Sequence, residues 1–169
     1  MSARWRQKNY VEYVREHFGL DDPGHGGKAT FDPTAAGYRA YPREHRAVAP
    51  PAPEIRLSAD PQFRGDAGLM NPEQLLVMAA SSCLLLSFLA LAAQRGIDVL
   101  GYVDEAHADM PEADPPLRLT RITLTPVVTV AAGTDRLLVE NLVHEAHDGC
   151  YIANSLTSLI VLEPTVVTA

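Results

Sequence analysis

The chain has 169 residues, of which 47% are hydrophobic, and it carries a formal net charge of −7 at pH 7 and two cysteines. This length suits one domain with a sizeable core, or one protomer of a dimer. The acidic balance argues against nucleic acid or an anionic membrane as the main partner. Two cysteines do not make a disulfide scaffold, so they indicate either buried residues or a redox pair.

The N-terminal part of the chain is charged and lacks the apolar core of a signal peptide, so we expect a cytoplasmic protein. A short amphipathic helix is predicted within residues 4–18, where four apolar residues recur at helical spacing: Tyr10, Val11, Val14 and Phe18. Two extended segments are expected between residues 28 and 48, with Phe31, Tyr38 and Tyr41 as packing residues. Residues 54–58 are typical of a further short strand.

The loop from residue 60 to 70 places Arg64 beside Gly65, just before a strong helix start. An arginine in this position is a candidate for a fixed cation that acts on a neighbouring site. An ordinary surface arginine is the alternative, because most arginines in folded proteins are exposed.

Residues 71–96 predict a long helix. Asn71 is a good N-cap, Pro72 suits the first helical position, and Gln74 completes a capping box. Gly96 gives the stop signal. The run from Leu75 to Ala93 carries no charge, so this helix is either a membrane span or the centre of a globular core. A stripe of small residues on it suits close approach of another backbone: Ala79, Ala80, Cys83, Ser87 and Ala90.

A membrane span is the less favoured interpretation of this helix. Three serines lie near its middle, no aromatic residue marks either end, and no basic cluster flanks it. We therefore expect no membrane partner.

The rest of the chain predicts strands around a second helix. Residues 97–110 begin as a strand, residues 111–116 form a turn, and residues 117–131 give the strongest strand signal. A second helix follows Asp135, with Leu138, Leu142 and Ala146 on one face, Val139, Val143 and Cys150 continuing the apolar side, and a break at Asp148-Gly149. Residues 152–156 suit a turn or a short helix, and residues 159–167 a final strand. This order predicts an α+β fold.

Cys83 and Cys150 are the residues best suited to chemistry, since a thiol with a lowered pKa is a strong nucleophile. For either cysteine alone, however, a small buried hydrophobe is the favoured interpretation, because structural buried cysteines are common and inert. His144, His147 and Cys150 form a possible metal triad, but their spacing on a helix lets the three converge only if the helix breaks.

Two motifs resemble the OsmC/Ohr family of osmotically inducible and organic hydroperoxide resistance proteins. The first is Asn-Pro-Glu-Gln at residues 71–74, with Ser-Ser-Cys at 81–83 inside a long apolar helix and Arg-Gly-Ile-Asp-Val-Leu-Gly-Tyr at 95–102. The second is Ala-His-Asp-Gly-Cys-Tyr-Ile-Ala-Asn-Ser at 146–155. The resemblance covers roughly residues 26–166, so residues 26–169 are interpreted as an OsmC/Ohr-like domain and residues 1–25 as an N-terminal extension.

The resemblance implies a thiol peroxidase that reduces organic hydroperoxides and is itself reduced by an external dithiol, without a cofactor or metal. Cys83 would be the peroxidatic cysteine, Cys150 the resolving cysteine and Glu73 the active-site glutamate. Arg64 is the preferred candidate for the arginine that pairs with the glutamate, and Arg39, Arg43 and Arg46 remain competitors. Tyr151 departs from the family, in which many members have proline after the second cysteine.

The implied fold is OsmC-like, with two long helices packed against antiparallel sheets in an intertwined homodimer. Glu73 and Cys83 are ten residues apart, which is about 15 Å along a helix axis. We therefore expect each site to combine Cys83 and Cys150 of one chain with Glu73 of the other. A non-catalytic stress-related protein and a metal-binding protein on the same fold are the alternatives.

Overall fold

A computed structural model describes residues 27–30 and 39–169. The expected helix at residues 4–18, the packing residues Phe31 and Tyr38, and the proposed boundary at residue 25 lie outside these residues. The chain divides into two compact units, Met1–Leu69 and Met70–Ala169.

The described part of the first unit is a three-stranded antiparallel sheet. Its strands are β1 (Lys28–Thr30), β2 (His45–Val48) and β3 (Ile55–Leu57), with β2 in the centre. A short 3₁₀ turn at Pro61–Phe63 follows β3. The strands expected within residues 28–48 and 54–58 are thereby confirmed.

The second unit begins with the long helix α1, which runs without interruption from Pro72 to Gln94. The capping box is present: the Gln74 N–H donates to Asn71 Oδ1 over 2.8 Å, and the Asn71 N–H donates to Gln74 Oε1 over 3.0 Å. Gly96, just past the helix, has φ +65°, a conformation that glycine adopts without steric cost. The sequence signals for both helix ends are therefore confirmed.

Six short strands form two three-stranded sheets in the second unit. One contains β4 (Val99–Asp104), β7 (Pro126–Val130) and β9 (Thr165–Thr168), in the order β4-β7-β9. The other contains β5 (His107–Asp109), β6 (Arg121–Leu124) and β8 (Leu159–Leu162), in the order β5-β6-β8. Each strand of one sheet continues into a strand of the other after a break of one or two residues, at 105–106, 125 and 163–164.

The sheets of the second unit are mixed, which corrects the expectation of antiparallel sheets. β4 and β5 pair antiparallel with β7 and β6, whereas β8 and β9 pair parallel with β6 and β7. The cause is the second helix, α2 (Arg136–Asp148), which lies between β7 and β8 in the chain. A helical crossover returns the chain to the same end of the sheet, so the next strand pairs in parallel.

The core of the second unit is built from one stripe of α1, one face of α2 and the inner faces of the strands. α1 contributes Ala80, Leu84, Phe88 and Ala92, and α2 contributes Val139, Leu142, Val143 and Ala146. Leu138, expected on the buried face of α2, is instead exposed. α2 ends at Asp148 with Gly149 as its C-cap, as the sequence predicts.

Several apolar residues of α1 stay exposed in the single chain. Met78, Leu86 and Leu89 face away from the core, and Leu86 retains 65% of its accessible surface. The mean hydropathy of α1 reaches 2.4, and only 22% of its most apolar window is buried. α1 is long and apolar enough to cross a membrane, but the core helix of a soluble protein can have the same length and composition.

Candidate functional site

The two cysteines are brought together by the packing of α1 against α2. Cys83 lies in the middle of α1 and is partly exposed, whereas Cys150 follows the C-cap of α2 and retains 1% of its surface. Both thiols are free, and their side chains are within hydrogen-bonding reach of each other. The fold therefore places the two cysteine-containing motifs, which are 67 residues apart in the sequence, next to each other.

Cys150 is held as a protonated thiol. Burial, as the larger cause, and the hydrogen bond with Cys83, as the second, together raise the pKa of Cys150 to about 11. The backbone N–H of Ala153 approaches Cys150 Sγ at 3.4 Å and acts in the opposite direction. At neutral pH Cys150 is therefore a proton donor and a poor nucleophile.

Glu73 lies in the first turn of α1, where a negative charge interacts favourably with the helix dipole. Its Oε2 atom is buried and has no hydrogen-bond partner among the described residues. A buried carboxylate oxygen without a partner is unfavourable. Because α1 is unbroken, Glu73 lies about 15 Å along the axis from Cys83 of the same chain. The structure therefore does not bring Glu73 to Cys83 within one chain.

Arg64 belongs to the first unit and ends the 3₁₀ turn. Its φ is +68°, a left-handed conformation that is costly for a residue with a side chain. The surrounding loop enforces this conformation: the Gly65 N–H donates to Asp60 O over 3.0 Å, and the Asp66 N–H to Ser58 Oγ over 3.0 Å.

Gly65 is also required by close packing, because a Cβ there would lie 1.6 Å from Ala59 O. The loop thus holds the exposed Arg64 side chain on a fixed backbone. Since Arg64 and Glu73 lie in different units, their pairing stays a prediction.

The competing arginines of the first unit differ in what they contact. Arg43 lies 3.6 Å from the centre of the Tyr41 ring and donates to Tyr41 O over 2.6 Å. Arg46 forms a 3.6 Å salt bridge with Glu54. Arg39 is exposed. These contacts do not select one arginine for Cys83, so the choice stays open.

The possible metal triad is not assembled. His144 is exposed on α2, whereas Cys150 is buried with Cys83. Within residues 27–30 and 39–169, no group of three or more His, Cys, Asp or Glu side chains is arranged to hold a metal ion.

Sequence reasoning missed a polar contact between α1 and β4. Ser81 Oγ donates to Asp104 Oδ2 over 2.5 Å, and the backbone N–H of Thr125 donates to Asp104 Oδ1 over 2.7 Å. Tyr102, also on β4, lies near Asp104 and has a raised pKa, first because of burial and then because of the Asp104 charge. The sequence does show a charged residue, Asp104, within a predicted strand and a polar residue, Ser81, within an apolar helix. Nothing in the sequence indicates that these two residues contact each other.

The family of the chain follows from a sequence comparison. The family model described as OsmC-like protein matches residues 65–165, which include both cysteines and Glu73. The chain belongs to the OsmC-like family. A search of curated proteins found no match.

Solved structures of OsmC-like proteins share the fold of this chain. An OsmC-like protein of unknown function from Vibrio cholerae is 28% identical, with a TM-score of 0.76 over 83% of this chain and 98% of that one. An organic hydroperoxide resistance protein from Elizabethkingia anophelis is 17% identical, with a TM-score of 0.65 over 85% and 95%. The organic hydroperoxide resistance protein OhrB of Bacillus subtilis is 19% identical, with a TM-score of 0.54 over 84% and 98%. For the two structures that are 17% and 19% identical, the similarity shows a shared fold and no more.

Proposed function

We propose that this OsmC-like protein is a thiol peroxidase that reduces organic hydroperoxides to alcohols. The observation that carries the proposal is the contact between Cys83, partly exposed on α1, and Cys150, buried and protonated. Two thiols in contact but unbonded are suited to a reversible dithiol–disulfide cycle. Relatives named as organic hydroperoxide resistance proteins support the choice of oxidant.

In the first step the Cys83 thiolate attacks the terminal oxygen of the hydroperoxide. A sulfur–oxygen bond forms, the oxygen–oxygen bond breaks, and the alkoxide leaves and takes up a proton to give the alcohol. Sulfur loses two electrons and becomes a sulfenic acid. Cys83 is the better attacking residue because it is accessible, whereas Cys150 is buried and its pKa is raised.

In the second step Cys150 attacks the Cys83 sulfenic acid. A disulfide forms and water leaves, with the Cys150 proton and the sulfenic hydroxyl supplying its atoms. An external dithiol then reduces the disulfide and is itself oxidised to a disulfide. The dithiol is needed because the chain has no third cysteine.

An apolar hydroperoxide fits the surroundings of Cys83. The helix neighbours of Cys83 toward solvent are Ala79 and Leu86, which lie four residues before and three residues after it. The side chains of α1 on either side of Cys83, from Leu75 to Ala93, carry no charge, so a carbon chain that lies along this helix meets apolar surface. Contact with apolar area favours an organic hydroperoxide over hydrogen peroxide.

The proposed site is completed by a second copy of the chain. The buried Oε2 atom of Glu73 has no donor within the described part of the chain, and an arginine would supply a charge-assisted hydrogen bond to it. The separation of about 15 Å along the axis of α1 between Glu73 and Cys83 of one chain favours a two-fold arrangement in which the start of one α1 meets the thiol of the other. Such a dimer would also cover Met78, Leu86 and Leu89. Arg64 is our candidate for the cation beside Cys83 and Glu73.

The test is steady-state reduction of cumene hydroperoxide with dithiothreitol as the dithiol. We expect turnover in the wild type, none above background in Cys83→Ser, and a burst of one equivalent in Cys150→Ser followed by slow cycling. Hydrogen peroxide should be the poorer substrate. Turnover in Cys83→Ser equal to that of the wild type would overturn the proposal.

A further inference from the structure

α1 has an unusual feature for a core helix: its buried stripe is nearly repeated by the stripe beside it. The buried residues are Ala80, Leu84, Phe88 and Ala92. One position further along the chain, 100° around the helix, lie Ser81, Leu85, Leu89 and Ala93. The two stripes read Ala-Leu-Phe-Ala and Ser-Leu-Leu-Ala. Burial of apolar surface therefore discriminates only weakly between the observed rotation of α1 and one turned by a single residue.

The function of the thiols depends on this rotation. Cys83 contacts Cys150 from one side of the buried stripe. A turn of about 100° would move the Cys83 side chain by several ångströms, because side chains project well beyond the Cα cylinder of about 2.3 Å radius. A disulfide needs Cα atoms within about 7 Å and correctly directed Cβ atoms. Something other than hydrophobicity must fix the rotation.

A directional contact does exist on the side of α1 that faces β4. Near the middle of α1, Ser81 Oγ donates a hydrogen bond to Asp104 Oδ2 of β4, and the other polar side-chain contact of this stretch among the described residues is that of Cys83 with Cys150 itself. Rotation by one residue would break the bond between Ser81 and Asp104. Hydrogen bonds to a charged group are worth about a tenfold to a hundredfold change in an equilibrium constant.

Asp104 is itself held in place by the sheet. Its second oxygen accepts the backbone N–H of Thr125, which lies at the break between β6 and β7. The residue after Thr125 is Pro126, which has no N–H, so Thr125 is the last donor before the next strand. Phe88 and Tyr102 pack beside the contact with ring centroids 5.9 Å apart. The carboxylate is therefore a fixed reference point for the helix.

We propose that the Ser81–Asp104 hydrogen bond sets the rotation of α1 and so holds Cys83 toward Cys150, which makes Asp104 a positioning residue for the thiol pair. Ser81 and Cys83 are two residues apart, so fixing the direction of one fixes the direction of the other. Single polar residues play a comparable part in coiled coils, where they select one register among apolar alternatives. This inference depends on the proposed function only for the reaction in which the two thiols take part; the positioning of Cys83 does not depend on it.

The test measures the thiol pair without peroxide. The equilibrium constant for forming the Cys83–Cys150 disulfide in glutathione buffers reports the effective concentration of one thiol at the other. We expect this constant to fall about tenfold in Ser81→Ala, which removes one oxygen atom. The matched control is Ser82→Ala, since Ser82 is exposed and has no hydrogen bond to Asp104. The constant of this variant should stay within twofold of the wild type.

A conservative variant separates positioning from general destabilisation. In Asp104→Asn the amide oxygen can accept from Thr125 and the amide nitrogen can donate to Ser81 Oγ, so the constant should return to within twofold of the wild type. Asp104→Ala should lower it as Ser81→Ala does. Should Asp104→Ala fail to fold, Ser81→Ala with its control still decides.

An unchanged constant in Ser81→Ala, or an equal fall in Ser82→Ala, would overturn this proposal. Cumene hydroperoxide turnover is measured on the same proteins. A wild type without turnover, together with the expected glutathione constants, would refute the peroxidase function and leave the positioning role standing.

Discussion

The exposed apolar face of α1 gives a prediction about assembly. Leu86 keeps 65% of its surface in the single chain and points away from the core. Replacing it with glutamate should dissociate the proposed dimer. The matched control is Leu137→Glu on α2, because Leu137 is also 65% exposed but lies on the other helix.

The magnitude follows from the area that Leu86 has left to bury. Fully burying a leucine side chain is worth about 1.5–3 kcal/mol, so two-thirds of it is worth about 1–2 kcal/mol. A two-fold interface contains the residue twice, which gives about 2–4 kcal/mol for the dimer. That corresponds to a dissociation constant raised by about 30-fold to 1,000-fold. The two introduced carboxylates add desolvation and mutual repulsion.

Sedimentation equilibrium across a concentration series measures this effect. We expect a wild-type dimer, a Leu137→Glu dimer with an unchanged dissociation constant, and a Leu86→Glu protein that is largely monomeric and loses peroxidase activity with its partner. A wild type that is monomeric and active would refute the reasoning, as would a Leu86→Glu dimer of undiminished affinity.

Substitutions at three further positions test separate parts of the account. Arg64→Ala should slow oxidation of Cys83 by cumene hydroperoxide about 10-fold to 100-fold in stopped flow, since a charge-assisted hydrogen bond is worth about 1.5–3 kcal/mol. Arg64→Gly should be oxidised as slowly, but its free energy of unfolding should be about 1 kcal/mol higher because glycine adopts the left-handed φ without steric cost. A wild-type rate in both variants would remove Arg64 from the site. The raised pKa of Cys150 means that folding favours its protonated form, so this contribution to the free energy of unfolding is complete below pH 9 and is lost as pH rises toward about 11. Urea titrations should show a loss on the order of 2 kcal/mol over that interval in the wild type and a clearly smaller one in Cys150→Ala; parallel pH profiles would contradict the buried thiol. Asn71→Ala should lower the free energy of unfolding by about 1 kcal/mol by removing the N-cap of α1, and no change in a urea titration would argue against the capping box.

The sequence predicted those parts of the fold that depend on local signals. Both ends of α1 follow from Asn71, Gln74 and Gly96, which act on backbone groups within a few residues. The end of α2 at Gly149 is equally local. The sheet order was not predictable in this way, because parallel pairing of β6 with β8 joins segments that the α2 crossover separates.

The candidate site also has parts that the sequence could identify and parts that it could not. Cys83, Cys150 and Glu73 could be named because their motifs resemble those of a known family. The contact of Ser81 with Asp104 spans 23 residues and two kinds of element, so no spacing rule identifies it. The exposure of Leu138 was missed for a related reason: the apolar side of α2 is wider than the face that is packed into the core.

The central claim is that a hydroperoxide oxidises Cys83 and that Cys150 closes the disulfide. The most direct measurement is addition of one equivalent of cumene hydroperoxide to reduced protein, followed by alkylation and peptide mass spectrometry. The account predicts one equivalent of alcohol, loss of both free thiols and a Cys83–Cys150 disulfide within one chain, with Cys150 left reduced in Cys83→Ser. Two free thiols remaining after the peroxide is added, or Cys83 oxidised to sulfinic acid with Cys150 untouched, would contradict it.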